Sequence, residues 1–454
     1  MKRKFFYAIT LLTAAALSFS SCGKSDSKDP DPEPQPNPIV NPEPEPEPEP
    51  EPVTPSDGNK EHSTVTSLAD AKTPADIVSA MGMGWNLGNQ MDAWTNGAAD
   101  EICWGNKKTT QEAFNKIAAS GIKTVRIPVT WMGHFGGAPD YKIEAAWLDR
   151  VSEIVGYAEN AGLNAIVNIH HDGSDSQHWL DIKSAALTTA KNQEITDIIK
   201  ALWTQIAEKF RDKGPFLIFE GFNEIQDGGW GYGANRSDGG KQYRTFNGWL
   251  QTFVDAVRAT GSENENRWLG IPSYCTNIDL CSELVLPSDA SNKLMVAVHF
   301  YEPSVYTLED KYTTWGHTGK DNARNPYSGK NEVYWQESEV KAEIKKMYDR
   351  YTSKGTPVYF GEMGNVYHGK DNAERYRKYY LEYVVKCMRE NLTAPIVWDN
   401  GATGSGSECH GYFDHATGEY LNDAKEMIEV MVKAATNNDS DYTLDWIYNN
   451  SAPK

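Results

Sequence analysis

Residues 217–224 read Leu-Ile-Phe-Glu-Gly-Phe-Asn-Glu, a short apolar run that stops on two polar residues, Asn223 and Glu224. Such a run, bounded by turn formers, reads as a strand buried on both faces, the kind found in parallel sheets. The pattern recurs along the chain. Candidate strands are Met83–Asn86, Thr124–Pro128, Asn164–His170, Leu217–Phe222, Arg267–Ile271, Leu294–His299, Pro357–Gly361 and Ala394–Trp398. Amphipathic stretches at helical period separate most of them: Thr110–Ser120, Glu144–Asn160, Gln193–Arg211, Gln242–Thr260, Glu337–Lys354, Ala373–Glu390 and Asn422–Ala435. The fifth strand is followed only by the short stretch Ile278–Leu286. Strand–helix alternation of this kind predicts an α/β fold, a TIM (β/α)8 barrel with long loops at its C-terminal face.

In such a barrel the chemistry sits at the C-terminal ends of strands. Arg126, His170, His171, Asn223, Glu224, His299, Tyr301, Glu362 and Trp398 all fall there. A charge that closes an apolar strand is costly unless it has work to do. Glu224 ends the fourth strand and Glu362 the seventh, so a closed barrel makes them face each other across the mouth. Two carboxyls flanking a glycosidic bond are what glycoside hydrolysis requires, and a separation of about 5–5.5 Å implies a covalent intermediate and retained configuration. One carboxyl must start protonated and the other ionised. A neighbouring Arg126 would hold the nucleophile ionised, and an apolar pocket would raise the acid. Glu220 shares the strand parity of Glu224, which makes it a second partner for Arg126.

Gly82-Met83-Gly84-Trp85-Asn86-Leu87-Gly88-Asn89, Arg126-Ile127-Pro128, Ile169-His170-His171, Asn223-Glu224, His299-Phe300-Tyr301, Phe360-Gly361-Glu362 and Trp398 follow one another in that order. The set resembles glycoside hydrolase family 5, the endo-β-1,4-glucanase family of TIM barrels. The opening motif, with Asp92 after it, is similar to the subfamily of broad-specificity endoglucanases and xyloglucanases. The resemblance implies that Glu224 is the general acid/base and Glu362 the nucleophile. It implies that Asn223 bonds the substrate 2-hydroxyl and that Arg126 and Tyr301 orient Glu362. His299 then sets the protonation of Glu224, and His170, His171 and Trp398 line the cleavage subsite. The activity implied is retaining, endo-acting hydrolysis of β-1,4-glucans, without a cofactor or metal. Mannanase or xylanase activity on the same scaffold is the alternative, then a glycan-binding protein that has lost its carboxylates. His170-His171-Asp172 is the one run that suggests a metal site, but no further ligand follows at a clear spacing.

Nine of the 14 Trp residues, 85, 94, 104, 131, 179, 230, 315, 335 and 398, fall at or after strand ends. Flat rings at the mouth can stack on pyranose faces, so Trp85, Trp131 and Trp230, with Asn89, are expected to bind substrate. His317, His368, His410 and His415 fall in loops and are expected at the surface.

The front of the chain is an address. Residues 1–21 have a basic start, Lys2-Arg3-Lys4, then an apolar run from Phe5 to Leu17. This resembles a bacterial lipoprotein signal peptide, with lipidation at Cys22. Residues 22–58 hold a strict Pro-Glu alternation from Pro42 to Pro52, which favours an extended, stiff tether. Residues 59–454 are expected to be the catalytic barrel, anchored to the outer membrane through lipid alone and exposed at the cell surface. The formal net charge is −19 and disfavours a nucleic-acid partner. A monomer is expected. Six cysteines lack a C-x-x-C spacing, and Cys275 and Cys281 fit either a disulfide or two buried thiols.

Overall fold

Eight parallel strands close into a barrel in simple sequential order in a computed structural model, which describes residues 62–173, 178–325 and 330–454. The signal, Cys22 and the tether lie outside the described residues. Residues 59–454 form one compact unit. The strands are β1 (Gly84–Asn86), β2 (Thr124–Ile127), β3 (Asn164–Asn168), β4 (Leu217–Glu220), β5 (Leu269–Pro272), β6 (Leu294–Phe300), β7 (Val358–Met363) and β8 (Thr393–Val397). Nearly every residue in them is buried, as a sheet covered on both faces demands.

Alternation along the strands sorts the side chains. Ile166, Ile218, Met295, Ala297, Tyr359, Ala394 and Ile396 point inward and form an apolar barrel floor. The helix Pro74–Met81 closes that floor from the N-terminal end. It starts cleanly because Thr73 accepts from the Asp76 N–H while Asp76 reaches back to the Thr73 N–H. Val125, Val167, Leu217, Phe219, Val296 and Val358 point outward against the surrounding helices.

Seven strands are followed by the long helix expected of them. After β5 the chain makes only short 3-10 turns, at Tyr274–Thr276 and Asp279–Ser282. The stretch to Leu286 is too short to pay for helix nucleation before Pro287 stops it. Smaller elements went unread in the sequence, among them the Pro74–Met81 plug, helices Ile182–Leu187, Ser304–Thr307 and Leu444–Asn450, and a hairpin pairing Trp94–Thr95 with Ala98–Ala99.

The decisive irregularity is in β7. Val296, Ala297 and Val298 pair with Val358, Tyr359 and Phe360, but the next residue, His299, pairs with Glu362. Gly361 is therefore an extra residue, a β-bulge. Strict alternation would send Glu362 outward with Phe360. The bulge turns it inward beside His299. A Cβ at Gly361 would crowd the site, standing 3.2 Å from His299 Nε2 and 3.5 Å from Arg126 Nε. Gly361→Ala is expected to fold with a small drop in Tm and to lose about 10- to 100-fold in kcat, since shifts below 1 Å at reacting groups cost that much. Thermal melts and initial rates check both halves.

Candidate active site

Arg126 stands fully buried at the centre of the barrel mouth. All five of its N–H groups are used. Nε and one Nη2 proton go to Glu220, at 3.1 and 2.7 Å; the other Nη2 proton goes to Asn223 Oδ1 at 2.8 Å. Nη1 donates to Asn86 Oδ1 at 3.0 Å and to Glu362 Oε1 at 2.9 Å. Burying a guanidinium costs several kcal/mol unless it is fully paired, and here it is. Glu220 also accepts from Tyr359 Oη at 2.6 Å and Asn168 Nδ2 at 2.9 Å. Burial works to raise its carboxyl, but Arg126 outweighs it and holds Glu220 below its usual range. Glu220 is thus the permanent counter-ion, and Arg126 pairs with both carboxylates that the sequence suggested.

Glu362 accepts on both oxygens, from Arg126 Nη1 on one and from Tyr301 Oη at 3.0 Å on the other. Burial and the facing Glu362 charge hold the Tyr301 phenol well above its usual range, so it remains a donor. Glu224 Oε1 lies 2.7 Å from His299 Nδ1, and that nitrogen is 3.7 Å from Glu362 Oε2. Oxygens of Glu224 and Glu362 and a nitrogen of His299 all lie within 4.8 Å of one another. This spacing fits the close pair of a double displacement and falls short of the wider gap that an inverting enzyme keeps for water.

The expected split between the carboxyls is inverted in the free site. Burial raises both. On Glu224 the hydrogen bond and charge of His299 win, and the carboxyl is held below its usual value. On Glu362 burial prevails over the pull of His299 and Arg126, with Glu224 adding to the rise. The physical reason is the short contact with His299, which favours the charged form of Glu224.

His170 Nε2 is 4.0 Å from Glu362 Oε1, and its ring lies parallel to Trp398 at 5.9 Å. Burial, then His171 and Arg126, hold His170 well below its usual range, so it is neutral. Trp398 lies over Gly88, where a Cβ would stand 2.7 Å from the indole. His171 Nε2 is 3.7 Å from Asp92 Oδ2, and Asp92, His170 and His171 approach within metal-ligand range. Asp92 Oδ1 and Oδ2 already accept the main-chain N–H groups of Gln90 and Asn89, which fits a turn former better than a ligand. Asp172 is elsewhere, accepting from the Trp131 N–H and Trp179 Nε1.

A family model described as cellulase, glycosyl hydrolase family 5, matches residues 88–404. The chain belongs to glycosyl hydrolase family 5. It is 50% identical to a solved GH5-4 broad specificity endoglucanase from Bacteroides salanitronis, with a TM-score of 0.77 over 83% of this chain and 98% of that one. It is 36% identical to endoglucanase A of Paenibacillus barcinonensis over 77% of this chain and 88% of the relative. It is 31% identical to a xyloglucan-specific endo-beta-1,4-glucanase of Bacteroides ovatus over 78% and 68%.

Within this family 5 barrel the tryptophans need correction. Trp85 and Trp131 are fully buried and belong to the core, not to a substrate platform. Their indole N–H groups are satisfied internally, by Asp399 Oδ2 at 2.7 Å and the Asn168 carbonyl at 3.1 Å. Of the nine Trp residues near the mouth, only Trp104 and Trp230 are exposed, at 42% and 61%. The long loops fold back on the barrel and use the other rings to build local cores. Trp104 was not among the assigned binding residues; its ring lies 5.6 Å from that of His171. Asn89 sits in a left-handed turn, φ 55°, whose N–H caps Asp92. His368, His410 and His415 are buried rather than superficial; only His317 is exposed. Cys275 and Cys281 are two separate thiols, and no disulfide joins any of the five described cysteines.

Glu362→Gln is expected to abolish turnover while Tm changes little, because size and the Arg126 contact on Oε1 are kept. Glu224→Ala is expected to slow substrates with poor leaving groups most, with azide restoring the turnover of activated aryl glycosides. Steady-state rates across a leaving-group series check the second; equal losses throughout would remove the acid/base role.

Proposed function

We propose that the protein is a retaining, endo-acting β-1,4-glucan hydrolase that accepts unbranched glucan and xyloglucan. The observation that carries this is the Glu224–His299–Glu362 cluster, whose acid/base and nucleophile atoms lie within 4.8 Å of one another. In the first step Glu362 attacks the anomeric carbon while Glu224 gives its proton to the departing glycosidic oxygen. The bond to the leaving sugar breaks and a glycosyl ester of Glu362 forms. Glu224, now a base, takes a proton from water, which attacks the same carbon and releases Glu362. Asn223 Oδ1 is held by Arg126, which turns its amide N–H toward the 2-hydroxyl. Donation there strengthens as the oxocarbenium ion forms. Tyr301 and Arg126 keep both Glu362 oxygens aimed, a preorganised setting worth more inside a dry site than in water.

Internal attack on a polymer is supported by the two exposed rings. Trp104 follows β1 and Trp230 follows β4, so exposed stacking surfaces stand on two separate loops at the mouth. A polymer lying across the mouth can meet both. Xyloglucan is supported by the Bacteroides ovatus relative, and mixed-linkage glucan uses the same subsites.

The protein is, in this proposal, a monomer lipidated at Cys22 and held at the outer membrane surface by the tether. The support is the basic and apolar start, Cys22 itself and the Pro-Glu alternation.

Two measurements test the reading. A panel of carboxymethylcellulose, xyloglucan, barley glucan, glucomannan and xylan, with product sizing, is expected to give mid-length products from the first three. Proton NMR of the first product should show the β-anomer; an initial α-anomer would falsify double displacement. Separately, Cys22→Ala is expected to abolish labelling with a fatty-acid analogue and to release the protein from the membrane fraction.

A further inference from the structure

Asn168 is the last residue of β3, fully buried and paired in register with Glu220 of β4. Its side-chain amide meets three partners. Oδ1 accepts from the Val129 N–H at 3.1 Å, and Nδ2 lies 2.9 Å from Glu220 Oε1 and 3.1 Å from His170 Nδ1. The first two partners fix which end of the amide is which. A main-chain N–H can only donate, so the atom facing Val129 is the oxygen. Glu220, held ionised by Arg126, can only accept, so the atom facing it is the nitrogen. Turning the amide over would set two donors face to face at one end and two acceptors at the other.

The third contact is then settled. Nδ2 carries two protons, one for Glu220 and one for His170, so His170 Nδ1 is the acceptor. A neutral imidazole with a lone pair on Nδ1 carries its proton on Nε2. An imidazolium would bring a second N–H against the amide, so the geometry disfavours the charged ring, and burial acts in the same direction. The ring is held in place as well. The His170 N–H donates to the Val129 carbonyl at 2.8 Å, and the imidazole lies parallel to Trp398. Nε2 has no hydrogen bond among the described residues and stands 4.0 Å from Glu362 Oε1. In the other tautomer a lone pair would face the Glu362 carboxylate there and repel it.

We propose that Asn168 is a positioning residue: it locks His170 in the Nε2–H form and so keeps a hydrogen-bond donor ready, beside Glu362, for a hydroxyl oxygen of the glucosyl unit seated there. This rests on the β-glucan reading above. Glu220 gains a second task. The carboxylate that balances Arg126 also takes one amide proton of Asn168, which leaves the other for His170. One buried carboxylate thereby fixes a charge on β2 and, through β3, the tautomer of a ring at the mouth.

Long-range proton–nitrogen NMR of the protein labelled with ¹⁵N-histidine reads the tautomer directly, with the His170 signals assigned by their loss in His170→Gln. The unaltered protein is expected to show an unprotonated Nδ1 and a protonated Nε2. Asn168→Asp is nearly isosteric but offers at most one side-chain proton to two acceptors. Glu220, being charged, keeps it, so His170 should move its proton to Nδ1. With that move kcat/KM on barley glucan should fall about tenfold, as loss of one hydrogen bond beside the reacting centre predicts. A protonated Nδ1 in the unaltered protein overturns the inference, and that spectrum decides even if Asn168→Asp fails to fold. An unmoved tautomer in Asn168→Asp, or a moved one with unaltered kcat/KM, overturns it too; a merely structural asparagine would lower Tm and leave the nitrogen signals in place. Should the unaltered enzyme cleave no β-glucan, the β-glucan reading itself falls, while the tautomer is still read in the free protein.

Discussion

Five N–H groups of one buried arginine hold the site together. Arg126 spans β2 to β4 through Glu220 and Asn223, β2 to β7 through Glu362, and β2 to β1 through Asn86. Asn86 in turn donates to the carbonyls of Gly361 and Val397, reaching β7 and β8. A charge of this kind in a barrel interior survives only if every donor is met. Meeting them fixes Glu362, Asn223 and the bulge in one step. Glu220 makes this possible. It balances Arg126 permanently, so the guanidinium keeps a counter-ion whatever the charge on Glu362.

The same economy governs the proton. Tyr301 and Arg126 can serve Glu362 only as donors, so both of its oxygens are prepared for the ionised form. Glu224 has one strong partner, His299, on a 2.7 Å bond. Substrate that displaces water around Glu224 disfavours its charged form. Glu224 and Glu362 therefore differ through their partners, His299 on the one, Arg126 and Tyr301 on the other.

Around this centre the fold separates rigid and adaptable parts. Strand ends and the Gly361 bulge place the reacting atoms. Loops place the exposed rings of the mouth, Trp104 after β1 and Trp230 after β4. Changes there alter which glucan fits without touching the chemistry.

Much of this was legible in the sequence because it is local. A strand buried on both faces is a short apolar run, and a catalytic residue at its end breaks that run with a charge. Eight strands, their order, Glu224, Glu362 and the double pairing of Arg126 with Glu220 and Glu362 all follow from that. What depends on distant contacts did not. Trp85 and Trp131 look like mouth residues by position, yet Asp399 and the Asn168 carbonyl draw them into the core. Alternation alone turns Glu362 away from the site; only pairing with β6 reveals the extra residue at Gly361. The inverted order of the two carboxyls depends on a histidine 75 residues from Glu224 in the chain. Sequence sets which groups can react, since residue type and period are carried by neighbours. Tertiary structure sets which of them meet, since burial and charge are shared between segments that the chain keeps far apart.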